Sequence, residues 1–211
     1  MNAQGKRSGE TAREYAYRMI REQVISLELK PGEAFNDMEF AAKIGVSRTP
    51  VREAVIQLSE ESRIIEIFPQ RGMRIAPIDV ELVEEARSLR VLLEKQIAGM
   101  CCEMATEEDI KWLQENVGLQ EFYMENSRPE MVMQLDDEMH HKLFMICHRE
   151  LTYGMCQKLA IHYDRIRSLS VNTVKDNTII EDHRKIIQFI AEHKKENAMA
   201  QIEKRPGYPG R

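Results

Sequence analysis

Glycine and proline are scarce in this sequence, ten and seven among 211 residues, and aromatic residues make up 6% with a single tryptophan. A chain with so few turn-formers does not read as a many-stranded sandwich or barrel, which needs a turn roughly every 8–12 residues. The same scarcity leaves no G-x-G-x-x-G or P-loop motif for a nucleotide. The four cysteines (Cys101, Cys102, Cys147 and Cys156) show no C-x-x-C spacing, which argues against a zinc ribbon or a disulfide framework. No apolar run approaches the roughly 18–20 residues of a membrane helix, and the N-terminus lacks the apolar stretch of a secretion signal. The expectation is a protein of the reducing cytoplasm with no membrane partner.

What is present points to helix. Hydrophobic residues make up 43% and charged residues 31% of the chain, the balance of a folded globular protein. Glu, Lys, Met and Leu, all good helix formers, are abundant. The net charge of −5 is unevenly spread: residues 1–77 carry +1 and residues 78–211 carry −6. A weakly basic module followed by an acidic one is compatible with a small DNA reader joined to a part that does not touch DNA.

Residues 1–10 are polar and read as a flexible lead-in. From Thr11, apolar Ala16, Ile20, Val24 and Leu27 recur at helical spacing until Pro31-Gly32. A short helix fits Asp37 to Ile44, with Asp37 as its expected N-cap. Gly45-Val46 makes a tight turn, and Ser47 or Thr49 caps a third helix with Pro50 in its first turn and Val51, Ala54, Val55 and Leu58 inward. Two β-branched runs, Ile64–Ile67 and Met73–Ala76, flank Pro69-Gln70-Arg71-Gly72 and read as a hairpin. Three helices and a hairpin over residues 11–77 make a winged helix-turn-helix. Beyond Pro77-Ile78-Asp79 only helical patterns appear, roughly 80–104, 107–126, 130–148, 151–171, 176–192 and from 195. Residues 79–205 are thus expected to form an all-helical antiparallel bundle, and 206–211 a tail. The fold class expected is mainly α.

The run Gly45-Val46-Ser47-Arg48-Thr49-Pro50-Val51-Arg52-Glu53-Ala54, preceded by Leu29-Lys30-Pro31-Gly32 and followed by Arg71-Gly72, resembles the GntR family of bacterial transcription regulators. The resemblance implies a third helix in the major groove and a wing against the minor groove. Ser47, Arg48, Thr49 and Arg52 stand at the start of that helix, where N–H groups and the dipole favour phosphate and an arginine can reach a guanine edge. Arg52 is the expected base reader, and Arg71 and Gly72 fit the wing. Isolated surface arginines usually mean nothing; here the intact motif outweighs that reading.

Arg90-Val91-Leu92-Leu93-Glu94 and Asp136-Asp137-Glu138-Met139-His140 are similar to segments of the FCD effector domain of the FadR-type subgroup, with Met139 where that pattern has Phe. The resemblance implies a divalent metal (zinc, nickel or manganese class) held by one Asp and three His, with a small carboxylate effector beside it. Independently, Asp136 and His140 lie one turn apart on a face continued by Leu143 and Cys147. His183 lies on the stripe Ile179, Ile186, Ile190, so ligands would come from two helices of a bundle. The resemblance implies a third histidine 22 residues after His183, at a position that is Arg205 here and offers no lone pair to a metal. His162, on the stripe Met155, Leu159, Ile166, Leu169, is the candidate replacement. Alternatively the metal is lost and Arg90 and Arg205 hold a carboxylate directly. The bland alternative is a set of buried, hydrogen-bonded core residues. Arg165 and Arg167 read as partners of a helix C-terminus, one of them able to face the pocket.

These features point to a ligand-responsive regulator that binds operator DNA as a homodimer, and not to an enzyme. Two other classes stay open: a regulator with a ligand-insensitive helical half, and a metal-dependent enzyme in that half.

Overall fold

The computed structural model describes residues 5–173 and 178–204. The chain divides into two compact units, one of residues up to Val80 together with Ile161–Arg165, the other of Glu81–Ala160 together with residues from Ile166.

In the first unit α1 (Ala12–Ile25) starts at a capping box in which Thr11 and Glu14 satisfy each other's backbone N–H. The short strand β1 (Ala34–Phe35) follows, then α2 (Asp37–Ile44) and α3 (Arg48–Ser62). Strands β2 (Ile65–Phe68) and β3 (Gly72–Ile75) form the hairpin, and β1 adds antiparallel to β3, giving the order β1-β3-β2. The hairpin is the one expected from sequence. The two-residue β1 is an addition, too short to leave a period-2 pattern. Ala16, Ile20, Val24, Val51, Ala54, Val55, Leu58, Ile64 and Ile75 form the core, each buried. The N-cap of α2 is Asn36 and not Asp37: Asn36 Oδ1 accepts from the N–H groups of Met38 and Glu39. Asp37 is instead buried against Arg48.

The second unit is helical. It contains α4 (Val80–Met104), α5 (Glu107–Glu125), α6 (Pro129–Ile146), α7 (Glu150–Thr173), α8 (Thr178–Ala191) and α9 (Lys195–Glu203), with the segment Ile161–Arg165 of α7 counted in the first unit. Its core gathers Ile97, Ala98 and Cys101 of α4, Leu113 and Val117 of α5, Met139, Leu143 and Phe144 of α6, Ile186 and Ile190 of α8, and Ile202 of α9. The Thr106–Asp109 capping box forms as the sequence suggests. Arg165 and Arg167 are not end-of-helix residues, because α7 runs on to Thr173. The expected apolar stripes of α7 and α8 hold at Ile166, Ile186 and Ile190, which are buried, but not at their outer members. Ile179, Met155 and Leu169 are exposed, while Ile180, Cys156 and Ala160 are buried. Arg205 and residues 206–211 lie outside the described residues.

Candidate DNA-reading surface and candidate metal centre

In the first unit the turn between α2 and α3 sets the angle of α3. Gly45 adopts a left-handed φ of +74°, the Gly45 N–H reaches Ala42 O at 3.4 Å and the Val46 N–H reaches Ala41 O at 3.1 Å. This paired closure of the last carbonyls of α2 needs a residue without Cβ strain. Ser47 then takes the extended N-cap conformation of α3, and its side chain makes no capping hydrogen bond. The first turn of α3 contains no acidic residue. Every other helix described carries one there, including Glu14, Asp37, Glu81, Glu130, Glu150, Glu181 and Glu196. The N-terminus of α3 therefore keeps a positive end that no acidic residue of its own first turn offsets, the electrostatic condition for receiving a phosphate.

Ser47, Arg48, Thr49 and Arg52 are all exposed, and Glu53 is exposed on the same helix. The Nε of Arg48 donates to Asp37 Oδ1 at 3.0 Å, so a buried carboxylate holds this guanidinium by its inner nitrogen. In the wing, Gln70 and Gly72 have φ of +60° and +100°, the Arg71 N–H donates to Phe68 O at 3.0 Å, and Arg71 and Gly72 are exposed.

In the second unit, Asp136, His140 and His183 converge: one ligating atom from each lies within 4.8 Å of the others, and all three residues are buried. Asp136 is divided between two kinds of neighbour. Its Oδ1 faces the histidines, 3.3 Å from His183 Nε2 and 3.8 Å from His140 Nε2. Its Oδ2 faces cations, 2.5 Å from an Arg167 Nη and 3.5 Å from an Arg90 Nη. Burial works against the charged carboxylate, yet Arg167, His140, His183 and Arg90 together outweigh it and hold the Asp136 carboxyl well below its usual range.

The opposite nitrogen of each ring has its own partner. His140 Nδ1 lies 3.0 Å from Glu94 Oε1, which also accepts from Arg90 Nε at 2.5 Å. His183 Nδ1 lies 2.9 Å from Gln120 Oε1, whose amide NH₂ donates to Asn116 Oδ1 at 2.8 Å. In the tautomer that keeps its proton on Nδ1, each ring presents the Nε2 lone pair towards Asp136 Oδ1. Three electron-pair donors facing one another is an arrangement that a cation between them completes. The outer partners match the carboxylate or amide that orients a ligating imidazole.

Of the residues expected here, Asp136, His140, His183 and Arg90 come together. His162 does not join them: its Nε2 is 2.6 Å from the carbonyl of Ser62 in the first unit, and it is not among the grouped ligands. Burial holds its pKa below the ordinary histidine value, as suits a neutral ring donating to a carbonyl. Arg205 lies outside the described residues. Arg165 is fully buried in the first unit and donates to the carbonyls of Ala76 and Pro77. Glu94 and Gln120 were not singled out from sequence as members of the centre, and of the pair Arg165 and Arg167 it is Arg167 that faces it. Glu94 had a signal, since it lies one turn after Arg90. Asn116 and Gln120 also had one, as polar residues on the stripe Leu113, Val117, Met124.

The comparisons with known proteins bear on both units. The model of bacterial regulatory proteins of the gntR family matches residues 12–75, and the FCD domain model matches residues 85–204. The chain belongs to the gntR family of regulators that carry an FCD domain. It is 30% identical over 158 residues to the HTH-type transcriptional repressor RspR of Escherichia coli, covering 75% of this chain and 69% of that one. An HTH-type transcriptional regulator from an unstable DNA locus of Streptomyces ambofaciens is 30% identical, covering 88% of this chain and 78% of its own. Among solved structures, Escherichia coli McbR/YncC superposes with a TM-score of 0.76 at 18% identity, covering 92% of each chain, which shows a shared fold. The protein is a DNA-binding transcription regulator of GntR/FCD type. Among the described residues no helix is long and apolar enough to cross a membrane.

Proposed function

We propose that this regulator is ligand-responsive: a divalent cation held by Asp136, His140 and His183, together with a small carboxylate metabolite, changes how a homodimer grips its operator. The observation that carries this reading is the division of Asp136, one oxygen among imidazole lone pairs and the other among guanidinium groups. A metal bound there would act as an anchor for an anionic ligand. Arg90 and Arg167 supply the positive charge beside it, in the planar form that suits a carboxylate. Glu94 and Gln120 keep the imidazoles turned inward.

On the DNA side, Arg52 would read a base edge, while Ser47, Arg48 and Thr49 take phosphate and Arg71 with Gly72 takes the wing contact. One winged helix offers too few contacts for useful specificity, so two copies across a pseudo-palindrome are part of the reading. The ligand acts by favouring one of two arrangements of the dimer, in proportion to its difference in affinity for them. Cytoplasmic residence follows from this role.

A second reading has support of its own. The described residues provide three protein ligands where the family resemblance implies four, and two arginines already neutralise Asp136. In that case a carboxylate is held by Arg90 and Arg167 without metal. Elemental mass spectrometry of the untagged, undialysed protein separates the two. About one divalent metal per chain, lost in His183→Ala, supports the metal-bearing centre. Metal-free protein whose melting temperature rises with an added dicarboxylate supports the arginine-only form. Neither metal nor any carboxylate-dependent shift refutes ligand response at this centre.

A further inference from the structure

Two thiols in the second unit lie side by side outside the Asp136 centre. Cys101 of α4 and Cys147, the C-cap of α6, have their Sγ atoms 3.5 Å apart, and both residues are buried. Each sulfur is also near a carbonyl of the opposite helix, Cys101 Sγ 3.4 Å from Leu143 O and Cys147 Sγ 3.6 Å from Ile97 O. The hydrogen bond between the two thiols, in which either sulfur can be the donor, lowers the Cys147 pKa against the opposing effect of burial. The same bond, with burial added, raises that of Cys101.

The place of this pair in the bundle matters. Cys101 follows Glu94 by seven residues, and Cys147 follows His140 by seven. Glu94 and His140 are themselves in contact at 3.0 Å. The two contacts therefore lie on one seam between α4 and α6, which run parallel, about 10 Å apart along the axis.

We propose that Cys101 and Cys147 are a redox-modification site, closing to an intramolecular disulfide on exposure to a hydroperoxide and reopening with a thiol reductant. The Cys147 sulfur attacks one peroxide oxygen, forming an S–O bond and breaking the O–O bond, and the departing oxygen leaves with the thiol proton as water. The Cys101 sulfur then attacks the Cys147 sulfur. The S–S bond forms, the S–O bond breaks, and the released hydroxide takes the Cys101 proton as a second water. Two thiols and one hydrogen peroxide give one disulfide and two waters. Bond formation brings the sulfurs from 3.5 Å to about 2.05 Å. Cys147 can make that approach because it sits at the end of α6, where the chain turns through His148 at φ +53°. The bond draws α4 and α6 together two turns from the contact that orients His140. In a reducing compartment such a bond is transient, which suits a signal.

The test treats the full-length protein with hydrogen peroxide, blocks free thiols under denaturing conditions and maps peptides without reduction. The expected product is one peptide pair joining Cys101 to Cys147 within a single chain, lighter by two hydrogens and restored by dithiothreitol. In Cys101→Ala, Cys147 should stop at a sulfenic acid that dimedone traps; in Cys147→Ala, Cys101 should stay a thiol. Because the wild-type map needs no variant to fold, it decides the matter. Four unmodified thiols per chain after peroxide, or a disulfide with other partners, would overturn the proposal.

Discussion

Arg48 and Arg52 stand one turn apart on α3 and are held differently. Arg48 is tethered through Nε to buried Asp37, which directs its outer nitrogens and limits their reach. Arg52 is exposed and contributes nothing to the core of the first unit. Replacing it with alanine is therefore expected to leave the melting temperature unchanged and to weaken binding to the specific site by about tenfold to a hundredfold. Fluorescence anisotropy on operator and scrambled duplexes checks this, and wild-type affinity for the operator would remove Arg52 from the reading surface. A stability prediction attaches to Asp109, which accepts from the Thr106 N–H at 3.0 Å and from Lys142 at 2.6 Å. Partial burial opposes its charge, but the bonds from Lys142 and Thr106 prevail and bring its pKa down to about 2. The folded value lies below the unfolded one of about 3.9, so its contribution is full above about pH 4 and fades as pH falls through about 2. Asp109→Asn should cost about 1 kcal/mol at neutral pH and only a small part of that at pH 2, read as urea midpoints. An equal loss at both pH values would show that the charge is irrelevant.

At the scale of elements, the closure of α2 at Gly45 fixes the entry of α3. With φ at +74° and open space around its Cα, Gly45→Ala is strained by backbone and not by crowding. The expected loss is about 1–2 kcal/mol, seen as a lower melting temperature with little change in DNA contacts once folded. No loss would mean that the turn relaxes without cost. The helix-turn-helix was legible because its signals are local: a glycine at the turn, a hydroxyl residue at the N-cap and a period of 3.6 in Val51, Ala54, Val55 and Leu58. β1 was not, since Ala34 and Phe35 pair with β3 through backbone atoms that leave no mark on residue type. In the helical unit Asp136, His140 and His183 were found because polar residues on apolar faces stand out. Glu94 and Gln120 went unassigned because their role is to meet a ring from another helix, a tertiary fact. His162 was misplaced because its assumed stripe included Met155 and Leu169, which are exposed. Its buried neighbours Ile161 and Arg165 belong with the first unit instead.

At the scale of the whole molecule, DNA binding should be strongly salt-dependent despite the net charge of −5, because the proposed contacts come from local arginines and a helix N-terminus. The slope of log affinity against log salt should approach about −0.9 per phosphate engaged, and a flat line would be incompatible with a phosphate-bound winged helix. The coupling between the two units remains the central matter. Its direct measurement is the operator affinity of the full-length protein, on a duplex selected from a random pool, with and without manganese and a small dicarboxylate, for wild type and His183→Ala. A linked site should change the wild-type dissociation constant by at least about fivefold, in either direction, and leave His183→Ala unmoved. Equal wild-type affinities under all conditions would contradict a ligand-responsive regulator.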